Sequence, residues 1–192
     1  MPHPNLFDRR QRASMYWFNK ASDLMGSAAA LWVCRDPDLS QRVAIEADLG
    51  AGFSMGAATP PVYRMLCGMA VELVLKAIVV ESGDTVNMNG HDLVDPWQQV
   101  SLPLSDQERR LLSVLSHDVV WAGRYPTPKK EVKFNEYLDT CDEALYDREP
   151  IAPDSSLSVM EPNHALDWTG FQSLWQRASN CYWQLRAQNQ SV

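Results

Sequence analysis

Residues 65–80, MLCGMAVELVLKAIVV, constrain this chain more than any other stretch, because no other segment is as apolar and only Glu72 and Lys76 in it carry charge. Pro60 and Pro61 precede the run and Gly83 follows it. Proline is tolerated in a first helical turn and glycine suits the position just past a helix end, so the run predicts one helix over about 61–82. Met65, Met69, Glu72, Lys76 and Val79 fall on one face and Leu66, Ala70, Leu73, Ala77 and Val80 on another. A helix apolar nearly all round is either a central core helix or a membrane span. A span needs about 20 apolar residues, and this run is shorter and interrupted by charge, so the prediction is the central helix of a bundle with no membrane contact. Glu72 and Lys76 lie four apart with the acid first, the favourable order for an ion pair on a helix. They read either as a pair on a partly solvated edge or as two groups facing a polar cleft or an interface.

The rest of the chain predicts further helices around this one. Residues 8–35 carry Ala13, Trp17, Ala21, Leu24, Ala28 and Leu31 at helical spacing, with Asp8 and Gln11 resembling a capping box and Asp36-Pro37 as the stop. Residues 38–49 predict a short helix with Leu39, Val43 and Leu49 inward. The glycine-rich segment 50–61 lacks a preceding strand and a Gly-Lys-Ser/Thr ending, so it reads as a connection and not as a phosphate loop. Turn signals stand at Gly83-Asp84, Asn89-Gly90 and Asp95-Pro96, with Leu93 and Trp97 expected to pack back on the bundle. Ser105 to Glu108 is a capping box opening a helix through Val120, which Gly123 ends. Phe134, Tyr137, Leu138, Cys141 and Leu145 mark another helix, residues 147–164 a loop, and Phe171, Leu174, Trp175, Ala178, Tyr182 and Leu185 a last one. The expected fold is an all-α bundle of five to seven helices. It forms a single domain over 1–192, with its core at about 8–188 and a polar C-terminal tail.

Composition limits the function classes. The 192 residues include seven Trp and carry a net charge of −7, which argues against broad, nonspecific nucleic-acid binding while allowing a local basic site. Cys34, Cys67, Cys141 and Cys181 are widely spaced and His3, His91, His117 and His164 lack ligand spacing, so neither a metal nor another cofactor is expected. Cys67, Cys141 and Cys181 fall in apolar helical patterns and read as buried free thiols. With no apolar signal core at the N-terminus, the expected location is cytoplasmic.

Two constellations could carry chemistry. Arg110 and His117 lie seven apart, two turns along a predicted helix and so near one face. An arginine fork holds phosphate and a histidine moves protons near neutral pH, a combination suited to metal-independent RNA cleavage by the RNA's own 2′-hydroxyl. The plainer reading is an arginine on a solvated helix start and a histidine favoured by the dipole at the helix end. The second is residues 121–130, WAGRYPTPKK, where Trp121 and Tyr125 interleave with Arg124, Lys129 and Lys130, with Lys133 nearby and Glu131 the one acid facing them. Aromatics can stack on bases while cations hold phosphate. Alternatively, the aromatics simply anchor a proline-stiffened loop.

Three pieces in order, YRMLCGMAVELVLKA at 63–77, Gly-His-Asp-Leu at 90–93 and Gly-Arg-Tyr-Pro at 123–126, resemble a bacterial branch of the HEPN superfamily. The resemblance covers roughly residues 63–128, and its most recognisable part is the Glu-Leu-x-x-Lys helix followed by the Gly-His-Asp-Leu turn. It implies a helical bundle, often a homodimer, tied to RNA cleavage, nucleotide transfer, toxin–antitoxin pairs or phage defence, with an antitoxin or a nucleotidyltransferase as possible protein partner. Nuclease members carry an Arg and a His with four to six residues between them, and the two motifs of a dimer face one cleft. Arg110 and His117 meet the outer limit of that spacing, although Leu111 follows the arginine where a polar residue is usual. Many members bind or scaffold without catalysis. The leading expectation is therefore an RNA- or nucleotide-binding module whose surface comprises Glu72, Lys76, His91, Asp92, Trp121, Arg124, Tyr125, Lys129 and Lys130. The alternatives are a metal-independent endoribonuclease using Arg110 and His117, and a structural homodimer or partner-binding subunit.

Overall fold

The computed structural model describes residues 5–84, 90–152 and 157–191. His3, Asn89 of the predicted Asn89-Gly90 turn and residues 153–156 of the predicted loop lie outside the described residues. Among the described residues the chain runs α1 (Leu6–Arg12), α2 (Ser14–Val33), α3 (Pro37–Glu46), α4 (Met55–Ala58), α5 (Pro60–Glu81), α6 (Val94–Gln99) and α7 (Asp106–His117). A π-helical turn (Asp118–Ala122) leads to α8 (Glu131–Leu145), a hairpin of β1 (Tyr146–Pro150) and β2 (Ser158–Pro162), and α9 (Trp168–Gln190). This is a mostly helical bundle, as the periodicity predicts, and no described helix is long and apolar enough to cross a membrane.

The bundle is built on α5. Ala70, Val71, Val74, Leu75 and Ala77 are fully buried, and α2, α9, α7 and the π-turn pack around them. Burying each large aliphatic side chain contributes about 1.5–3 kcal/mol. The helix starts at its two prolines and stops at Ser82, with Gly83 at φ +82°. Gly68 lets α7 press close: a Cβ there would stand 2.6 Å from Val119 Cγ2 and 2.9 Å from the Leu115 carbonyl. Gly123, which closes the π-turn by donating to the Asp118 carbonyl at 3.0 Å, is likewise pressed against Met65.

Five details differ from the sequence-based expectation. The predicted helix over 8–35 is two helices, broken at Ala13 in extended backbone. Asn5, not Asp8, caps the first, its side chain accepting from the Asp8 N–H at 2.8 Å. Helix α2 restarts at Ser14, whose buried hydroxyl meets Glu81 of α5 and, at 3.2 Å, Tyr182 of α9. Leu49 is exposed, because Asp48 leaves α3 in the left-handed region at φ +50° and turns the chain away. The predicted loop 147–164 contains the hairpin, paired from Tyr146 with Pro162 to Pro150 with Ser158. All ten strand residues are exposed, so no face demanded an apolar alternation. Leu138 is also exposed, although its neighbours Phe134 and Tyr137 turn inward as expected.

The predicted signals that hold locally are the ones that position the site. Leu93 and Trp97 are fully buried, with the Trp97 indole N–H donating to the Pro103 carbonyl at 3.3 Å. The capping box at Ser105 forms in both directions, 3.3 Å from Glu108 N–H to the hydroxyl and 2.9 Å from Ser105 N–H to the carboxylate. Of the cysteines, all free thiols, Cys67 is buried and Cys141 and Cys181 are half-buried.

Candidate functional site

Where α7 passes into the π-turn, the extra residue per turn shifts the register. Val119 and Trp121 turn into the core and Val120 turns out. Val120 thereby joins the wall of a cavity of about 800 Å³. Ser113, Ser116 and His117 of α7 form one side and His91 and Asp92 the rim. Arg124, Lys129, Lys130 and Lys133 close it from the loop before α8 and from the first turn of that helix. Four permanent cations and two histidines thus line a wall that holds one carboxylate, that of Asp92, in a chain whose net charge is −7; Lys133 is also paired with Glu136, 2.6 Å away. Asp92 already accepts from the Val94 N–H at 3.0 Å, opening α6.

The turn at 90–93 is fixed from two sides. Leu93 donates its N–H to Ser116 Oγ at 3.0 Å, which binds it to α7. His91 Nδ1 lies 3.1 Å from Glu72 Oε2, and Lys76 Nζ lies 2.6 Å from the other oxygen of that carboxylate. Glu72 and Lys76 are nearly buried, with side chains 11% and 12% exposed. They line a neighbouring cavity of about 380 Å³ with Gly90, Asp92 and Asp95. The Gly-His-Asp-Leu turn therefore separates the two cavities.

His117 sits half-buried in the cleft with its ring edge-on to Tyr137, centroids 5.7 Å apart. Desolvation, and then the nearby charge of Lys133, hold its imidazole below the ordinary value, with Glu136 acting the other way. Directly beneath it is a buried network invisible in the sequence. Arg64 of α5 donates to Asp118 Oδ2 at 2.8 Å and to the Tyr137 hydroxyl at 3.1 Å, and Tyr137 donates to Asp118 Oδ1 at 3.1 Å. Asp118 is fully buried. Burial pushes its carboxyl up, against the pull of Arg64 and Tyr137. The network clamps α5, the π-turn and α8 together and so sets the floor of the cleft.

Among the predicted residues, His91, Asp92, His117, Trp121, Arg124, Lys129 and Lys130 converge on this cavity. Arg110 does not line it. Its guanidinium reaches back to Gln107 Oε1 at 3.3 and 3.4 Å. Trp121 is 7% exposed and its ring packs on Tyr137 and Phe134, centroids 5.0 and 6.1 Å away, while its indole N–H has no partner among the described residues. Tyr125 is the exposed aromatic. It lies outside the cavity wall, with Arg124 over its ring at 5.3 Å. Ser113, Ser116 and the Arg64–Asp118–Tyr137 network are additions to the predicted site. The only sequence signal for them was a charged residue flanking each of two apolar runs.

What fold and site together define is a helical bundle with a solvent-open cationic cleft. Comparison of the chain with protein-family models, with curated proteins and with solved structures finds no match in any of the three.

Proposed function

We propose that this chain is an HEPN-like module that binds RNA or a nucleotide in the cleft between α7 and α8. The observation that carries the reading is the charge reversal of the cleft: Arg124, Lys129, Lys130 and Lys133 line it with Asp92 as the one carboxylate of its wall, in an acidic chain, although Lys133 is also paired with Glu136 at 2.6 Å. Phosphate groups are the commonest ligands that reward such clustering. The half-buried position of His117 and the tethered His91 add donors that can read a phosphate or a base edge. The resemblance of residues 63–128 to HEPN proteins supports the same class and brings with it a toxin–antitoxin or phage-defence setting. Lys129→Glu combined with Lys130→Glu tests this directly. The double variant is expected to lose at least tenfold in affinity for a fluorescent single-stranded RNA at low salt, and equal affinity would remove the reading.

A homodimer or a protein partner is the second reading. Tyr16 of α2 and Trp183 of α9 are 45% and 46% exposed, and exposed aromatics are enriched at interfaces. Sedimentation equilibrium tests it: self-association that Trp183→Ala weakens supports a dimer through α9, and a strict monomer argues against it.

A further inference from the structure

We propose that a third cavity, between the end of α2, the start of α5 and the segment that enters α9, binds a small zwitterion with an apolar side chain, the chemical class of a free α-amino acid. Arg35 takes its carboxylate, Asp167 its ammonium, and Pro60, Leu145, Pro162 and Leu166 its side chain. The site shares no wall residue with the cationic cleft and stands independently of the reading given to that cleft.

The cavity has about 300 Å³ of room, the small end of the range for ligand pockets. Its rim is fixed by Asn163. The Asn163 N–H donates to the Leu145 carbonyl at 2.9 Å, its side-chain amide donates to the Ala144 carbonyl at 3.0 Å, and its Oδ1 accepts from the Ala165 N–H at 3.0 Å. Two arginines border the space. Arg64 is committed to Asp118 and Tyr137. The Arg35 guanidinium lies over the Trp32 ring at 4.3 Å and has no ion pair or hydrogen bond among the described residues. Stacking occupies the face of the guanidinium and leaves its edge N–H groups open, the fork that matches a carboxylate.

Tyr63 borders the same space and is 2% exposed. Its hydroxyl has no hydrogen-bond partner among the described residues, a rare state for a buried polar group, and the Cys67 thiol beside it does not meet it in hydrogen-bond geometry. Burial pushes its ionisation well up, Cys67 and Asp167 act the same way, and Arg35 acts against them. The hydroxyl therefore stays protonated, within the field of both charged wall residues, as a donor without an acceptor. The Asp167 carboxylate meets only His164 Nδ1, at 3.0 Å, and that histidine is exposed. Arg35 and Asp167 make no ion pair with each other. A phosphate or a plain carboxylate would set a second negative charge against Asp167, and an amine alone would leave Arg35 and Tyr63 unanswered. A zwitterion answers all three, and the apolar wall accepts a hydrocarbon side chain.

The test is calorimetric titration of the full chain with L-leucine, L-methionine and L-phenylalanine, each beside its N-acetyl acid and its amide. At least one amino acid is expected to bind saturably. Its N-acetyl form lacks the ammonium and its amide lacks the carboxylate, and each is expected to bind weaker by about tenfold or more. Arg35→Gln and Asp167→Asn are expected to weaken the amino acid by about the same factor, and Tyr63→Phe by about threefold or more. Asp167 makes no side-chain cap bond to α9, so its replacement removes no cap, and circular dichroism checks the fold of each variant. The analogues test the unmodified chain and so do not depend on any variant folding. No binding of any of the three amino acids overturns the inference. Equal binding of the N-acetyl acid or of the amide overturns it too, as does unchanged affinity in Arg35→Gln or Asp167→Asn.

Discussion

His91 Nδ1 lies 3.1 Å from Glu72 Oε2, so a carboxylate nearly buried in the central helix orients an exposed histidine at the rim of the cationic cleft. Lys76 holds the same carboxylate at 2.6 Å. Glu72→Ala is predicted to release His91 from the Nδ1–H form toward the tautomer mixture of free histidine, visible in the ring ¹⁵N shifts. It also strands the nearly buried Lys76 ammonium, at a cost of about 1–3 kcal/mol in urea unfolding. An unchanged tautomer and midpoint would mean that the pairing contributes nothing.

The buried pair beneath His117 carries a larger predicted effect. Asp118 is fully enclosed and Arg64 has a side chain 19% exposed. Removing one partner of such a pair leaves an uncompensated charge and costs about 3–5 kcal/mol. Asp118→Ala is therefore expected to lower the unfolding midpoint sharply, and Tyr137→Phe, which removes only the hydroxyl, by much less. Thermal or urea unfolding of the two variants distinguishes them.

Glycines at two places respond oppositely to the same change. Gly68→Ala drives a methyl into Val119 and the Leu115 backbone and is predicted to destabilise by about 1–3 kcal/mol. Gly26 is exposed in α2, with nothing within 4 Å of an added Cβ, and Gly26→Ala is predicted to stabilise by up to about 1 kcal/mol. Equal effects in urea titrations would contradict the close packing of α5 on α7.

Acid weakens the fold in two windows. His117 has its imidazole lowered in the folded chain by desolvation and by Lys133, with Glu136 opposing. The unfolded chain therefore binds that proton first. Stability is full above the ordinary histidine value of about 6.5 and falls as pH drops from there toward the folded value. Desolvation acts to raise Glu81 and Glu108, but hydrogen bonds from Ser14 and Asn189 with Arg186 charge, and from Ser105 with Arg177 charge, hold both low. Their contribution is full above the usual glutamate value of about 4.3 and is lost as pH falls through the folded values. Unfolding midpoints measured from pH 8 to pH 3 should show both declines. His117→Asn should flatten the upper one.

How much of this was legible in the sequence depended on how local each cause was. The α5 helix and the Ser105 box were readable because apolar content, flanking prolines and glycine, and a Ser/Glu spacing are all contained within the segment. The break at Ala13 was not, because what fixes Ser14 is Glu81, 67 positions away, and Tyr182, 168 positions away. The hairpin left no alternation because water covers both its faces. In the site, Lys129, Lys130 and His117 could be picked out singly, but their meeting with His91 depends on the Leu93–Ser116 hydrogen bond. The Arg110 spacing was right for one helix face, yet long helical side chains lean toward the N-terminus, and Arg110 leans onto Gln107.

The measurement that tests the central claim most directly is the salt dependence of single-stranded RNA binding to the unmodified chain. Each phosphate neutralised by a cation adds about −0.7 to the slope of log affinity against log salt. With Arg124, Lys129, Lys130 and Lys133 on the cleft wall, the predicted slope is roughly −2 to −3, falling by about 1.4 in magnitude in the Lys129→Glu, Lys130→Glu variant. A slope near zero, or no binding at low salt, would contradict the assignment of this cleft as a phosphate-binding site.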